Sequence, residues 1–216
     1  MALPVVVAVG GCGPQVAEKV KKHAEVIKVG EGMGEGVEMG PVISAKAKDR
    51  IVGLIDDAEK RGSKVVLDGR GLTVPGYENG HFLGPTVLDD VPLDAPVYTE
   101  EVFGPLLAIV HADTYEEALK IVNAQPFGNG SAIFTNDGGV ARRFTLDVEA
   151  GMVGVNVPIP TPVAFYSFGG WKESLLGDTH IHGPEGVTFY TRAKAITERW
   201  PTEKTYAATM SFQREE

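Results

Sequence analysis

The residues best arranged for chemistry lie at 98–105, in the run Tyr98-Thr99-Glu100-Glu101-Val102-Phe103-Gly104-Pro105. An acid followed two positions later by an aromatic, then Gly-Pro, puts both side chains on one side of an extended segment. A carboxylate at Glu101 can accept two hydroxyls of a ribose, and the face of Phe103 can pack on a flat ring. The competing reading is a charged turn ahead of a strand, and on spacing alone both stand.

Four other places invite a chemical reading. A strand, then Gly11-x-Gly13, then a helix make half of a dinucleotide fingerprint, and Glu31 falls 20 residues after Gly11, where a ribose-binding acid would sit. Val16, however, occupies the third glycine position, and Pro14 removes an amide that would face a pyrophosphate. A plain strand-to-helix turn is the expectation. Residues 30–41 are rich in glycine, but no Gly-Lys-Ser/Thr follows, which argues against a phosphate-binding loop. His180 and His182 alternate as H-x-H without a third ligand nearby, so they read as two exposed loop histidines, and no metal site is expected. Cys12 would need a base within hydrogen-bond reach to act as a nucleophile. A small buried cysteine is the expectation.

The elements that must position these residues follow from periodicity. Val5 to Val9 is a continuous β-branched run. Val16, Val20, Ala24 and Ile27 recur at helical spacing after Pro14, a residue suited to a first helical turn. Ser44 is an N-cap for a second helix with the stripe Ile51, Leu54, Ile55 and Ala58, stopped by Gly62. Val65 to Leu67 reads as a short strand, and Phe82 to Val91 as an extended segment broken at Gly84-Pro85. Leu106 to His111 is a strand, and Thr114 with Glu117 forms a capping box over a helix carrying Ala118, Ile121 and Val122. Ser131 to Thr135 is a strand, Val140 to Ala150 a helix ended by Gly151, and Val153 to Val157 a strand. This β-α-β-α-β alternation predicts an α/β fold, a parallel sheet flanked by helices with right-handed crossovers. Residues 158–186 are Pro- and Gly-rich without a period, as functional loops are. Residues 187–199 alternate like an exposed strand. Residues 200–216 form a polar tail.

Composition bounds the function. The chain has 216 residues, 43% hydrophobic and 23% charged, which suits a globular domain. A net charge of −9 argues against a nucleic-acid or anionic-membrane surface. No apolar run approaches the length of a membrane span. The apolar stretch Met1 to Gly10 has no basic residue before it, so it is not read as a signal peptide. The single cysteine excludes an internal disulfide and a multi-cysteine metal site. A soluble protein of a reducing compartment is expected, cytoplasmic or of the mitochondrial matrix.

Several motifs, in order, carry a family resemblance. Glu100-Glu101-Val102-Phe103-Gly104-Pro105 resembles the E-E-V-F-G-P motif of the aldehyde dehydrogenase catalytic domain. Glu38-Met39-Gly40-Pro41-Val42-Ile43 resembles that family's x-x-G-P-L-I segment. Gly76-Tyr77 through Phe82-Leu83-Gly84-Pro85-Thr86-Val87 resembles its G-x-x-x-x-P-T-V stretch. Phe127-Gly128-Asn129-Gly130 and the strand after it resemble its Y-G-L segment. Gly154-Val155-Asn156 and Phe168-Gly169-Gly170-Trp171-Lys172 match its V-N and F-G-G-x-K motifs. The resemblance covers about residues 1–200. Asn156-Val157-Pro158-Ile159-Pro160, Gly128-Asn129-Gly130 and Gly177-Asp178-Thr179 are most similar to the methylmalonate-semialdehyde dehydrogenase subgroup.

The resemblance implies a nicotinamide cofactor (NAD), a semialdehyde substrate and coenzyme A as acyl acceptor. It implies that Glu101 and Phe103 contact the cofactor and that Phe168 walls the substrate pocket. It implies a division into a partial catalytic domain at 1–186, an oligomerisation-arm strand at 187–199 and the tail, and hence a homo-oligomer. The family's nucleophilic cysteine corresponds to a position before Met1, so the resemblance places no catalytic residue in this chain. The chain alone is expected to be inactive. Two alternatives remain: a small nucleotide-binding module using the 10–16 turn, and a non-enzymatic interaction protein acting through an edge strand.

Overall fold

The computed structural model describes residues 2–198 and residue 200. β1 (Val5–Val9) ends in Gly10 and Gly11, whose φ angles of 65° and 78° lie where glycine is at ease. That turn feeds α1 (Gly13–Ala24), with Pro14 in its first turn as expected. α2 (Ala45–Lys60) starts under Ser44, whose hydroxyl accepts the Ala47 amide at 3.1 Å. β2 (Lys64–Leu67), β3 (Thr86–Asp89), the short α3 (Pro96–Thr99) and β4 (Leu106–Ala112) follow. β4 runs into α4 (Tyr115–Asn123), capped by Thr114 Oγ1, while the Glu117 carboxylate takes the Asp113 amide at 2.7 Å. β5 (Phe127–Gly128), β6 (Gly130–Ile133), α5 (Gly138–Asp147), β7 (Met152–Val155), β8 (Trp171–Lys172) and α6 (Gly183–Tyr190) complete the order.

The main sheet runs β1-β4-β3-β2. β1 and β3 both lie parallel to β4, with Val7 opposite Val110 and Leu88 opposite Ala108. Alternation sorts the side chains between two faces. Ala108, Val110 and Leu88 pack with Ile51, Leu54, Ile55 and Ala58 of α2, and Ile109, Val87 and Ala8 pack with Ala17 of α1. α2 covers one face together with Ala118 and Ile121 of α4, and α1 covers the other, so helices flank the sheet on both sides as an α/β layer structure requires. A third cluster joins α4, α5, β6 and β7 around Phe144, Val148 and Ala150. β6 and β7 pair in parallel, and β5 pairs antiparallel with β8.

The fold is α/β and mostly parallel, but it departs from expectation at three places. β2 runs antiparallel to β3, because no helix crosses over between them and the turns of 69–80 simply reverse the chain. α5 stops at Asp147 rather than Ala150, and Gly151 does not cap it. Asn123 takes the helix end instead, donating to the Asp147 carbonyl and accepting the Glu149 amide, both at 2.9 Å. Extended backbone beyond Asp147 then lets Val148 and Ala150 both turn into the core.

The third departure is the terminal strand expected at 187–199. Its first residues belong to helix α6, and 191–198 have no regular structure. Pro184 sits in the first turn of α6, and the hydroxyls of Thr188 and Thr191 donate to the carbonyls four residues back. A strand without a neighbour leaves its amides and carbonyls unpaired, whereas a helix pairs them internally. Residues 201–216, and with them the tail, lie outside the described residues.

Candidate functional site

α3 delivers the 100–105 segment to the mouth of the core. Val102 is 1% exposed and anchors the segment beside α2, while Glu101 and Phe103 on either side of it are exposed. Arg50 of α2 holds the backbone from below, donating to the carbonyls of Glu101, at 3.3 Å, and Val102. Phe103 adopts φ of 51°, a left-handed conformation unfavourable for a residue with a side chain. Gly104 must follow it, since a Cβ there would run into Ile51 Cδ1. The result is an aromatic ring 79% exposed next to an exposed carboxylate. Held backbone strain of this kind gathers at binding sites. A free carboxylate and a bare ring face are the two surfaces that a sugar hydroxyl pair and a flat heterocycle take up.

Phe168 lies in a second place, a cleft of about 230 Å³ whose lining includes neither Glu101 nor Phe103. The β5–β8 pair lies beside it, with Asn129 after β5 and Gly170 before β8 in its lining. Ser174 Oγ accepts the Gly128 amide at 3.1 Å. Lys172 Nζ donates to the carbonyls of Asn123 and Gln125 at 2.6 and 3.1 Å and pairs with Glu149 at 2.8 Å. Gly151 and Gly169 touch backbone to backbone, so that a Cβ on Gly151 would collide with the Gly169 carbonyl. The glycines and lysine of the 168–172 motif thus shape the turn, and Phe168, unlike the exposed Trp171, lines the cleft. Asn156 has a similar role: its side chain accepts the Thr135 amide at 3.0 Å and donates to the Thr135 carbonyl at 3.1 Å, tying the ends of β6 and β7 together.

Two histidines that sequence reading sets aside belong to this cleft. His182 is not an exposed loop residue: its ring stacks on Phe168, 4.5 Å between centroids and 6° between planes. His180 is also half-buried, with Glu185 Oε2 accepting its amide at 2.7 Å and lying 3.3 Å from Nδ1. Both rings turn inward because 180–185 folds back on 164–169. The H-x-H spacing drew attention to them, but as metal ligands rather than packing partners.

Cys12 is exposed, against the expectation of burial. The left-handed glycines carry the chain out of the sheet, and Cys12 emerges at the start of α1 with no side-chain hydrogen bond capping the helix. Gly13, not Cys12, is the buried residue there, because the His111 ring occupies the space its Cβ would need. His111 Nε2 lies 2.7 Å from Asp89 and 3.2 Å from Asp90. These donors are of metal-ligating type, but Lys64 Nζ already sits 2.6 Å from Asp90. The Lys64 hydrogen bond holds the Asp90 carboxyl below its ordinary range. Nothing in the sequence pattern joins these residues, which meet only where three strand ends come together.

Comparison with known proteins adds to this geometry. Residues 1–196 match the model of the aldehyde dehydrogenase family. The chain is 48% identical over 212 residues to a malonate-semialdehyde dehydrogenase of Pseudomonas aeruginosa, covering 96% of this chain and 42% of that protein. It is 45% identical over 206 residues to the acylating, mitochondrial methylmalonate-semialdehyde/malonate-semialdehyde dehydrogenase of Bos taurus, covering 94% of this chain and 38% of that one. The crystal structure of a methylmalonate-semialdehyde dehydrogenase from Oceanimonas doudoroffii superimposes with a TM-score of 0.90 at 44% identity, over 94% of this chain and 42% of that one. A Mycobacterium tuberculosis aldehyde dehydrogenase complexed with NAD+ superimposes with a TM-score of 0.78 at 30% identity, over 87% of this chain and 38% of that one. The chain thus spans about two fifths of the length of the relatives it matches.

Proposed function

The chain belongs to the aldehyde dehydrogenase family, and on that premise we propose that it supplies the cofactor-ring support and pocket wall of a NAD-dependent dehydrogenase oxidising malonate or methylmalonate semialdehyde to an acyl-coenzyme A. The observation that carries this reading is the presentation of Glu101 and Phe103 outward from the buried Val102, the ring 79% exposed on left-handed backbone. The residues fit the group they would hold. The Glu101 carboxylate accepts ribose hydroxyls, and the face of Phe103 supports a nicotinamide. When bound, that cofactor supplies the hydride acceptor. Holding the ring at one angle is worth rate, because transfer depends on alignment. Phe168, across the 168–172 turn, walls the space for the aldehyde.

The reaction also needs a thiolate to form the acyl intermediate. Cys12 is the chain's one cysteine, and its place at the start of α1 lies in neither of these two regions. This chain's own residues therefore offer the reaction no nucleophile, and the acylating step draws its thiol from elsewhere in the enzyme. The active enzyme is a homo-oligomer. Val187, Phe189, Tyr190, Ile196 and Trp200, between 60% and 85% exposed, support that reading. Among the described residues no helix is long and apolar enough to cross a membrane. The naming of eukaryotic relatives as mitochondrial supports a mitochondrial site of action where the chain is eukaryotic.

The test is an aldehyde-oxidation assay with NAD and coenzyme A on the isolated chain and on an enzyme that includes it. Turnover confined to the larger enzyme, with malonate semialdehyde preferred over long aliphatic aldehydes, is the expected result. Turnover by the isolated chain that disappears in Cys12→Ala would overturn it.

A further inference from the structure

Phe168 stands at the end of a long irregular stretch, its backbone held on one side where Gly169 packs on Gly151. No regular structure precedes it from Val157 onward, and two glycines follow. Its neighbours Phe165 and Tyr166 are 67% and 59% exposed. A phenyl ring in that setting turns freely about its side-chain bonds unless something packs on it. One ring does: His182, parallel to within 6°.

His182 is itself fixed from several directions. Its carbonyl accepts the Ser167 hydroxyl at 3.2 Å, and the same hydroxyl accepts the Glu185 amide at 3.3 Å. The Gly183 amide donates to the Ala164 carbonyl at 3.1 Å. Gly183 has φ of 65°, and a Cβ there would collide with the Ser167 amide, so the two segments touch backbone to backbone. Two residues earlier, the His180 ring fills the place of a side chain on Gly169, with its Nδ1 3.3 Å from Glu185 Oε2. Residues 180–185 thus form a bracket closed against 164–169, with His182 as its flat contact on Phe168.

We propose that His182 is the positioning residue of Phe168: by stacking, it sets the angle at which the phenyl face meets the cleft, and so the width open to the aldehyde's carbon chain. The consequence for substrate choice rests on the function proposed above; the positioning itself does not. The stack acts through its flat face, so another planar ring should replace imidazole and a methyl group should not. Stacked aromatic pairs of this kind contribute enough to shift binding about 2- to 10-fold.

Two measurements test this. In the isolated chain, isotope-labelled at phenylalanine, the Phe168 ring protons should show an upfield ring-current shift. His182→Ala should abolish that shift and His182→Phe should keep it, with all three proteins melting at similar temperatures. In the complete enzyme, His182→Ala should raise the KM for malonate semialdehyde about 2- to 10-fold with kcat within about twofold, and His182→Phe should restore it. An unchanged shift in His182→Ala, a Phe variant that behaves like the Ala variant, or a loss of kcat and melting temperature together would each overturn the proposal. An unsubstituted enzyme with no NAD-dependent turnover would instead overturn the proposed function, and the ring-current comparison would still decide the role of His182.

Discussion

Glu101 and Val102 face opposite ways within one dipeptide, and that reversal makes the 100–105 segment usable. The buried valine anchors it, Arg50 holds its carbonyls, and the carboxylate is left free. Replacing Glu101 by Gln keeps the shape and removes the charge. It should raise the NAD KM or slow hydride transfer in the complete enzyme, while stability stays within about 0.5 kcal/mol, as exposed substitutions do. Steady-state kinetics beside thermal melting checks this, and a large melting shift with unchanged kinetics would make Glu101 structural. Gly151 is the opposite case. A methyl group there meets the Gly169 carbonyl, a backbone atom that cannot swing aside. Gly151→Ala should cost about 1–3 kcal/mol in urea unfolding. It should also disturb the Phe168 ring signals, because Gly169 is the next residue. Sequence reading takes Gly151 for a helix stop; its partner stands 18 residues further on, beyond the reach of any local pattern.

At the scale of elements, α2 is fastened to the end of β2 by Arg70. The guanidinium meets Asp56 at 2.5 Å, Glu59 at 2.9 Å and Asp68 at 2.7 Å. Its hydrogen bond holds the Asp68 carboxyl below the ordinary value of 3.8. A carboxyl whose pKa is lowered by folding adds stability that is fully present above its unfolded value and is lost as pH falls through its folded one. The loss should therefore come below about pH 4. These carboxylates are near half exposed, so solvent screening keeps the pair to roughly 1 kcal/mol or less. Arg70→Met should flatten the acid limb of a urea-midpoint titration between about pH 5 and pH 2. Equal slopes in the two proteins would show that the clamp contributes nothing. Ser44→Ala removes the α2 cap seen at 3.1 Å and should lower stability by about 1 kcal/mol at any of these pH values. The cap was legible because Ser44 and the helix it starts are adjacent in the chain. The Arg70 clamp was not, because Asp56 and Glu59 lie on α2, the former 14 residues away, and only Asp68 is its near neighbour.

Across the whole molecule, apolar surface gathers at the C-terminal side. Phe189 and Tyr190 of α6 meet edge to face at 5.0 Å between centroids and are 60% and 80% exposed. Exposed aromatic groups of this kind mark contacts with another chain. Sedimentation velocity at rising concentration should show a dimer or larger species, and the double substitution Phe189→Ser with Tyr190→Ser should shift it toward monomer. A monomer at all concentrations would remove the oligomer from the proposed function. The α/β alternation, the apolar stripe of α2, the turn at Gly10-Gly11 and the pairing of Glu101 with Phe103 could be read from residue order, whereas Phe168 was singled out by the family resemblance alone. Periodicity and turn chemistry act between near neighbours, and the order of residues records them. The contacts that decided the rest join residues far apart: Phe168 with His182, Gly151 with Gly169, His111 with Asp89. So does the choice between strand and helix at 187–190, where alternation favours a strand but only a neighbouring strand could pair its backbone. Cys12 came out exposed for the same reason, because whether a turn residue is covered depends on what packs over it, and His111 packs on Gly13 instead.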